Sequence, residues 1–282
     1  VTAAIVVLAG GIGSRFGGPK QLVPVGPGGE SILDYNVHNA VAAGFERVIV
    51  VTRAELADQV EAVVSRATAG NAEFSITLQQ IADGRTKPYG TAEAVWTTAA
   101  IVDDAFGIAN ADDLYGPAAF RSLYAHVSSN DVDGAIVGFA LADTVPPYGA
   151  VTRGLLRCEG DEVKAIMEVR GIQRDGDTWQ PASVEGIGRI TGRELISTQL
   201  LALPPRIMED IGKAVDKFIA SGNDGEILLP EVIGELLASG ALRVRLLGGG
   251  DEWAGMTNPE DLEAVRQYVR ERWPTPLYSE SS

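Results

Sequence analysis

The 282 residues carry 38 acidic against 23 basic side chains, a formal net charge of −15, so no overall basic surface draws the chain to nucleic acid or to an anionic membrane. The single cysteine, Cys158, excludes an internal disulfide and a cysteine-cluster metal site, and no apolar run approaches the length that crosses a bilayer. A hydrophobic content of 45% with 6% aromatic residues fits a soluble chain able to bury a substantial core. It starts directly on a strand, without a basic segment followed by a signal-type apolar stretch, and a cytoplasmic location is expected.

Residues 3–7, apolar and β-branched, predict a buried first strand. Gly10, Gly11 and Gly13 follow in a tight turn, then Arg15 and Lys20. Small residues let backbone N–H groups approach an anion, and two cations on the same loop suit a polyphosphate. The same residues would also make an ordinary strand-to-helix turn. Ser31 starts a helix to about residue 44, with Ile32, Leu33, Val37 and Val41 on one face, Asp34 in the first turn and Gly44 as its C-cap. Residues 47–52 form a continuous apolar strand of the kind buried on both faces of a parallel sheet. A helix over 54–69 and a strand over 73–79 come next. A polar loop, 80–89, leads to a helix opened by residues 90–95. A short strand, 106–109, ends in Asn110-Ala111-Asp112-Asp113, followed by a helix from 117 and a strand over 134–141.

Beyond residue 141 shorter strands are expected over 145–157 and 162–169, and an irregular stretch over 171–192. A strand over 195–203, helices over 204–220 and 230–239, a strand over 242–247, a glycine run and the segment 253–257 follow. A helix over 259–273 and a frayed tail over 274–282 close the chain. The alternation predicts an α/β fold: a Rossmann-like, doubly wound, mixed but mainly parallel sheet with a smaller substrate-side subdomain. Residues 1–273 are expected to form one domain, with 1–141 binding a nucleotide, 142–257 binding its co-substrate and 258–273 forming the last helix.

Several groups along this frame suit phosphate chemistry. Asp112 and Asp113 follow a strand end, where open α/β sheets place ligand groups, and a carboxylate there is a hard oxygen ligand for Mg2+; Asn-x-Asp-Asp is equally good turn chemistry. Gly90-Thr91-Ala92 offers N–H groups at a helix start, or simply a small N-cap. Gln79 or Gln80 could read a base edge through an amide that both donates and accepts, or be a solvated strand end. Glu168 suits sugar hydroxyls, and Gly149 allows close approach of a substrate ring. Trp253, Tyr148 and Tyr89 read as packing residues, as do the distant His38 and His126.

Residues 8–25, with Gly90-Thr91-Ala92, Asp112-Asp113, Tyr148-Gly149 and Glu168 in that order, resemble the sugar-1-phosphate nucleotidyltransferases, the nucleotide-sugar pyrophosphorylases, over most of the chain. Residues 253–261 are similar to the closing motif of one bacterial subgroup. The resemblance implies the nucleotide-diphospho-sugar transferase fold and a Mg2+-dependent in-line attack of a sugar 1-phosphate on the α-phosphorus of a nucleoside triphosphate. It implies that Arg15 stabilises the departing pyrophosphate, that Lys20 serves the α-phosphate and that Asp112 holds the metal. Leu8, Ala9, Gly10, Gly11, Gly13, Ser14, Gln79, Gln80, Gly90, Thr91 and Ala111 would contact the nucleotide, and Gly149, Glu168 and Arg170 the sugar phosphate. Three departures stand out: Val169 where the family often has lysine, which passes that role to Arg170; no clear second metal aspartate, for which Asp113 and Asp251 are the candidates; and a long 80–89 loop.

The partners implied are a nucleoside triphosphate and a sugar 1-phosphate, with no nucleic acid and no membrane; a homo-oligomer stays open. The competing readings are a glycosyltransferase consuming a nucleotide sugar, an NADP-binding oxidoreductase, and a nucleotide sensor without turnover.

Overall fold

The computed structural model describes residues 2–278 apart from residues 14–15, 130, 132, 147–148 and 257–258. The N-terminal half alternates strand and helix. In order come β1 (Ala4–Leu8), α1 (Ile32–Ala43), β2 (Arg47–Thr52), α2 (Ala57–Thr68), β3 (Glu73–Leu78), α3 (Thr91–Trp96), β4 (Phe106–Asn110), β5 (Asp113–Tyr115), α4 (Pro117–Val127), β6 (Gly134–Ala140) and the single turn α5 (Leu141–Thr144). The rest comprises β7 (Val151–Glu159), β8 (Glu162–Asp175), β9 (Thr178–Gln180), β10 (Ser183–Val184), β11 (Gly188–Arg189), β12 (Leu195–Leu203), α6 (Ile207–Ala220), α7 (Leu229–Ala238), β13 (Val244–Gly250), β14 (Trp253–Gly255) and α8 (Asp261–Arg272).

The main sheet has the order β3-β2-β1-β4-β12-β6-β13-β8-β7, with β9 added to β8. Its first half is parallel, β2 and β4 flanking β1 in register Ala4↔Arg47 and Ala4↔Phe106. β12 enters antiparallel between β4 and β6, so a strand from the C-terminal half lies inside the nucleotide-side sheet. The result is the mixed α/β sheet expected. The period of two along β1 explains the two layers. Ile5 and Val7 join a core with Leu33 and Val37 of α1, Val60 and Val64 of α2, and Phe120 of α4. Ala4, Val6 and Leu8 join the opposite core with Val95 of α3, Ile211 of α6 and Ile233 of α7. All five β1 residues are buried, as a strand covered on both faces requires.

Local chemistry sets α1 where the sequence placed it. Ser31 and Asp34 form a reciprocal capping box, and Gly44 ends the helix at φ 117°. Other segments differ from expectation. β7 begins at Val151 instead of 145, and residues 141–144 turn as α5. The stretch expected to be irregular after 171 is largely extended: β8 runs on to Asp175 and pairs with β9. A third, smaller core gathers Val25, Tyr35 and Leu114 with Met256, Val265 and Val269, clamping α8 onto the segment after the glycine loop. Residues 274–278, expected to fray, are docked: the Leu277 N–H donates to Glu30 Oε1 (2.6 Å), and the Tyr278 hydroxyl reaches Asp34 Oδ1 (3.3 Å). Residues 279–282 lie outside the described residues. Among the described residues no helix is long and apolar enough to cross a membrane.

Candidate functional site

The parallel strands β1 and β4 end side by side, and their C-terminal ends carry the glycine loop and the acidic pair. Gly13 sits at φ 62°, and a Cβ there would lie 1.8 Å from the Gly18 carbonyl oxygen, so only glycine closes this turn. A Cβ on Gly10 would come within 2.7 Å of Gln79 Oε1, whereas Gly11 faces open space. The loop is held from behind, since Gln21 Nε2 donates to the Ala9 carbonyl (2.7 Å) and Arg53 Nε to that of Gly10 (3.0 Å). Ser14 and Arg15, both assigned to the site from sequence, lie outside the described residues.

The acidic pair is placed by α1. Buried Asn36 donates through Nδ2 to the carbonyls of Asn110 (3.1 Å) and Asp113 (2.7 Å), and its Oδ1 accepts from the Tyr115 N–H (3.2 Å). This pins the turn between β4 and β5 and points consecutive carboxylates into the cleft. Asp112 pairs with Lys20 Nζ at 2.6 Å, and the same ammonium donates to the Met256 carbonyl at 2.6 Å. Asp113 accepts from Asn110 Nδ2 (3.1 Å). Burial, reinforced by the neighbouring Asp112 charge, pushes the Asp113 carboxyl up to about 6.

Two cavities meet at this pair. One, of about 270 Å³, is lined by Leu8, Gly10, Gly11, Gln79, Gly90, Thr91, Ala111 and Asp112, all of them expected at the site from sequence. The other, of about 290 Å³, is lined by Asp113, Arg153, Glu168, Thr198, Glu231 and Trp253. Thr91, Asn110, Gln199 and Leu228 belong to both walls. Asp112 thus faces one chamber and Asp113 the other.

Several expected residues stand elsewhere. Ala9 is buried behind the loop and Gly13 lies in the turn beneath it, so neither lines a cavity. Gln80 is exposed and outside both chambers. Gln79 is inside, but its Nε2 is committed to the Gly90 carbonyl (2.9 Å) and Glu93 Oε2 (2.5 Å), which leaves only the acceptor oxygen for a base. Arg170 is 83% exposed and bound to Glu168 (2.8 Å), lining neither chamber. Gly149 is exposed at φ 83° and lines neither, and its neighbour Tyr148 lies outside the described residues. Asp251 is an exposed turn residue between β13 and β14, away from both walls. Trp253 packs against the main core, as expected, and also forms part of the second chamber's wall.

Sequence reasoning missed Arg153, Gln199 and Asn36. Arg153 follows the Tyr148-Gly149 pair closely enough to have drawn notice. Gln199 had no sequence signal: it adopts φ 63° at an irregularity in β12 between Ser197 and Leu201, and its Oε1 is buried with no partner among the described residues.

The residues present suit a divalent cation. Asp113 is an anion disfavoured by burial and by Asp112, and a hard cation held by such carboxylate oxygens would relieve both effects. Among the described residues no group of three or more histidine, cysteine, aspartate or glutamate side chains is gathered for a metal. Magnesium needs none, since one or two carboxylates with water and phosphate oxygens complete its shell.

Residues 5–174 match the family model described as MobA-like NTP transferase domain. The fold aligns with the inositol-1-phosphate CTP transferase from T. maritima (TM-score 0.65, 17% identity, 95% of this chain and 96% of that one). It also aligns with a UDP-glucose pyrophosphorylase solved with UDP-glucose (TM-score 0.62, 17% identity, 96% of this chain and 100% of that one). At such identities the likeness is one of fold. No curated sequence matches significantly.

Proposed function

Because the chain belongs to the MobA-like NTP transferase family, we propose that it transfers the nucleotidyl part of a nucleoside triphosphate to the phosphate of a sugar or sugar-like 1-phosphate. The observation that carries this reading is the pair of chambers meeting at Asp112 and Asp113. A transfer between two substrates needs two adjoining sites with the charge-neutralising groups at their junction. An acceptor phosphate oxygen attacks the α-phosphorus in line, the bond from that phosphorus to the bridging oxygen breaks, and pyrophosphate leaves with the electron pair. No enzyme nucleophile is needed; positioning and charge neutralisation carry such a step.

In this reading the glycine loop, Gly90 and Thr91 hold the triphosphate, and Arg15 and Lys20 counter its charge. Lys20 is tied to Asp112 as the fold stands, and its ammonium would be available to phosphate oxygens were Asp112 to hold a cation instead. Asp112, with Asp113 beside it, would hold Mg2+, which would supply neutralisation of phosphate charge. Glu168 lies in the acceptor chamber, where a carboxylate accepts from sugar hydroxyls. We assign residues 1–141 to nucleotide binding, 142–257 to the acceptor and 258–273 to the closing helix, and we place the enzyme in the cytoplasm.

The test is Mg2+-dependent pyrophosphate release across the common nucleoside triphosphates crossed with a panel of sugar and cyclitol 1-phosphates. Release with one pair is expected. Pyrophosphate-free sugar transfer from a nucleotide sugar, with the panel silent, would replace this reading by that of a glycosyltransferase.

A further inference from the structure

The acceptor chamber has a charge problem that the proposed reaction makes acute. Asp113, Glu168 and Glu231 all line it, and a phosphorylated acceptor would bring in further negative charge. A cation must stand inside. Val169, next to Glu168, is buried and apolar within the core packed on α1 and α4, because the strand's period of two turns it away from the face that carries Ile166 and Glu168. Arg170 is spread over the surface on Glu168. Lys20 is held by Asp112 and the Met256 carbonyl and lines neither chamber. Among the described residues lining the acceptor chamber, Arg153 is the one cation.

Arg153 pairs with Val169 across β7 and β8 beside a register shift, so it starts from Val169's face of the sheet, and its longer side chain lines the acceptor chamber as well as a neighbouring cavity bounded by Thr144, Trp253 and Tyr268. Its guanidinium is held on several sides: Nη1 donates to the Thr152 carbonyl (3.0 Å), Nη2 to that of Thr144, and its central carbon lies 5.4 Å from the centroid of the Trp253 ring. Nε is buried and has no hydrogen-bond partner, and among the described residues Arg153 makes no ion pair. The anion that faces it is the buried Asp113 carboxyl on the same wall, which makes no ion-pair contact with it and is itself disfavoured as an anion; an arriving phosphate adds the compensating charge and an acceptor that this arrangement lacks. Fixing the fork beforehand reduces the side-chain entropy lost on binding.

We infer that Arg153 is the residue that binds the phosphate of the acceptor, and that through it the chamber selects a phosphorylated acceptor over the unphosphorylated sugar. The inference rests on the proposed transfer, and its test separates the two. Full-length wild type, R153Q, R153K and R170Q are titrated with inorganic phosphate by calorimetry. The nucleotide chamber is filled throughout with an α,β-methylene triphosphate, whose P–C bond cannot be cleaved by the attack.

Wild type should bind phosphate, R153Q should bind it at least tenfold more weakly, and R170Q should stay within twofold of wild type. With an acceptor that is turned over, R153Q should raise the acceptor KM by a similar factor while the nucleotide KM stays within twofold. R153K keeps the charge and loses the fork, and should weaken phosphate three- to tenfold. If R153Q does not fold, R153K carries the test. Phosphate binding unchanged in the Arg153 variants, lost in R170Q instead, or absent from wild type overturns the inference. So does a variant in which both KM values and kcat deteriorate together, the mark of a structural role. Arg153-dependent phosphate binding without pyrophosphate release from any pair would sink the transferase reading and leave this one standing.

Discussion

Replacing Gln199 with glycine should make the protein more stable and a poorer catalyst. Gln199 holds φ 63°, a left-handed conformation that opposes a Cβ by about 1–2 kcal/mol. Its Oε1 is buried without a partner among the described residues, a desolvation worth about 1–3 kcal/mol. Glycine removes both effects. Against this stand the extra freedom glycine has in the unfolded chain, about 0.5–1 kcal/mol, and the apolar stem of a half-buried side chain, about 1 kcal/mol. The balance is a gain of about 1–2 kcal/mol, or roughly 2–4 °C in Tm for a chain of this size. Since the side chain forms part of both chamber walls, its loss should lower kcat/KM by about 10- to 100-fold through misplaced substrates. Thermal unfolding followed by circular dichroism, beside steady-state pyrophosphate release, reads both quantities. A glycine variant less stable than wild type by more than about 1 kcal/mol, yet fully active, would show that packing maintains the strained backbone and that the chambers make no use of it.

Asp112→Asn should lower kcat by about 10²–10³-fold in the pyrophosphate assay. It should leave Tm within about 2 °C, because the Lys20 pair is partly exposed and such pairs contribute about 1 kcal/mol or less. Gly90→Ala should destabilise by about 2 kcal/mol or more in denaturant titration: φ is 125°, and the new Cβ would meet the Ile227 carbonyl oxygen at 2.4 Å. A neutral effect would mean that the start of α3 yields freely. His38 is held below the ordinary histidine range by burial, so its unfolded form binds the proton first. Its contribution is therefore present above about pH 6.5 and declines as pH falls below that. His38→Asn should flatten the fall of Tm between about pH 7 and 5, and an unchanged slope would assign that acid sensitivity to other groups.

The local part of this protein was legible in its residues. β1 and β2 are continuous apolar runs whose ends fell within a residue of expectation, β12 fell on its expected bounds despite the polar Ser197, Thr198 and Gln199 at its middle, and α1 announced itself through Ser31, Asp34 and Gly44. Such signals act over one turn or one strand, where steric limits, capping hydrogen bonds and side-chain periodicity are all local. The glycine loop and the acidic pair were visible for the same reason, since short-range backbone demands select those residue types.

What only the tertiary structure decided is which distant groups share a wall. β12 inserts between β4 and β6, and that long-range pairing brings Gln199 beside Asn110 and Thr91. Arg153 faces inward because α5, β14 and β8 close around its guanidinium, whereas Arg170, one residue past buried Val169, is left in solvent. Two arginines of the same charge on neighbouring strands thus acquire opposite environments. The difference is one of desolvation, which depends on everything packed around a group and on nothing in its immediate sequence.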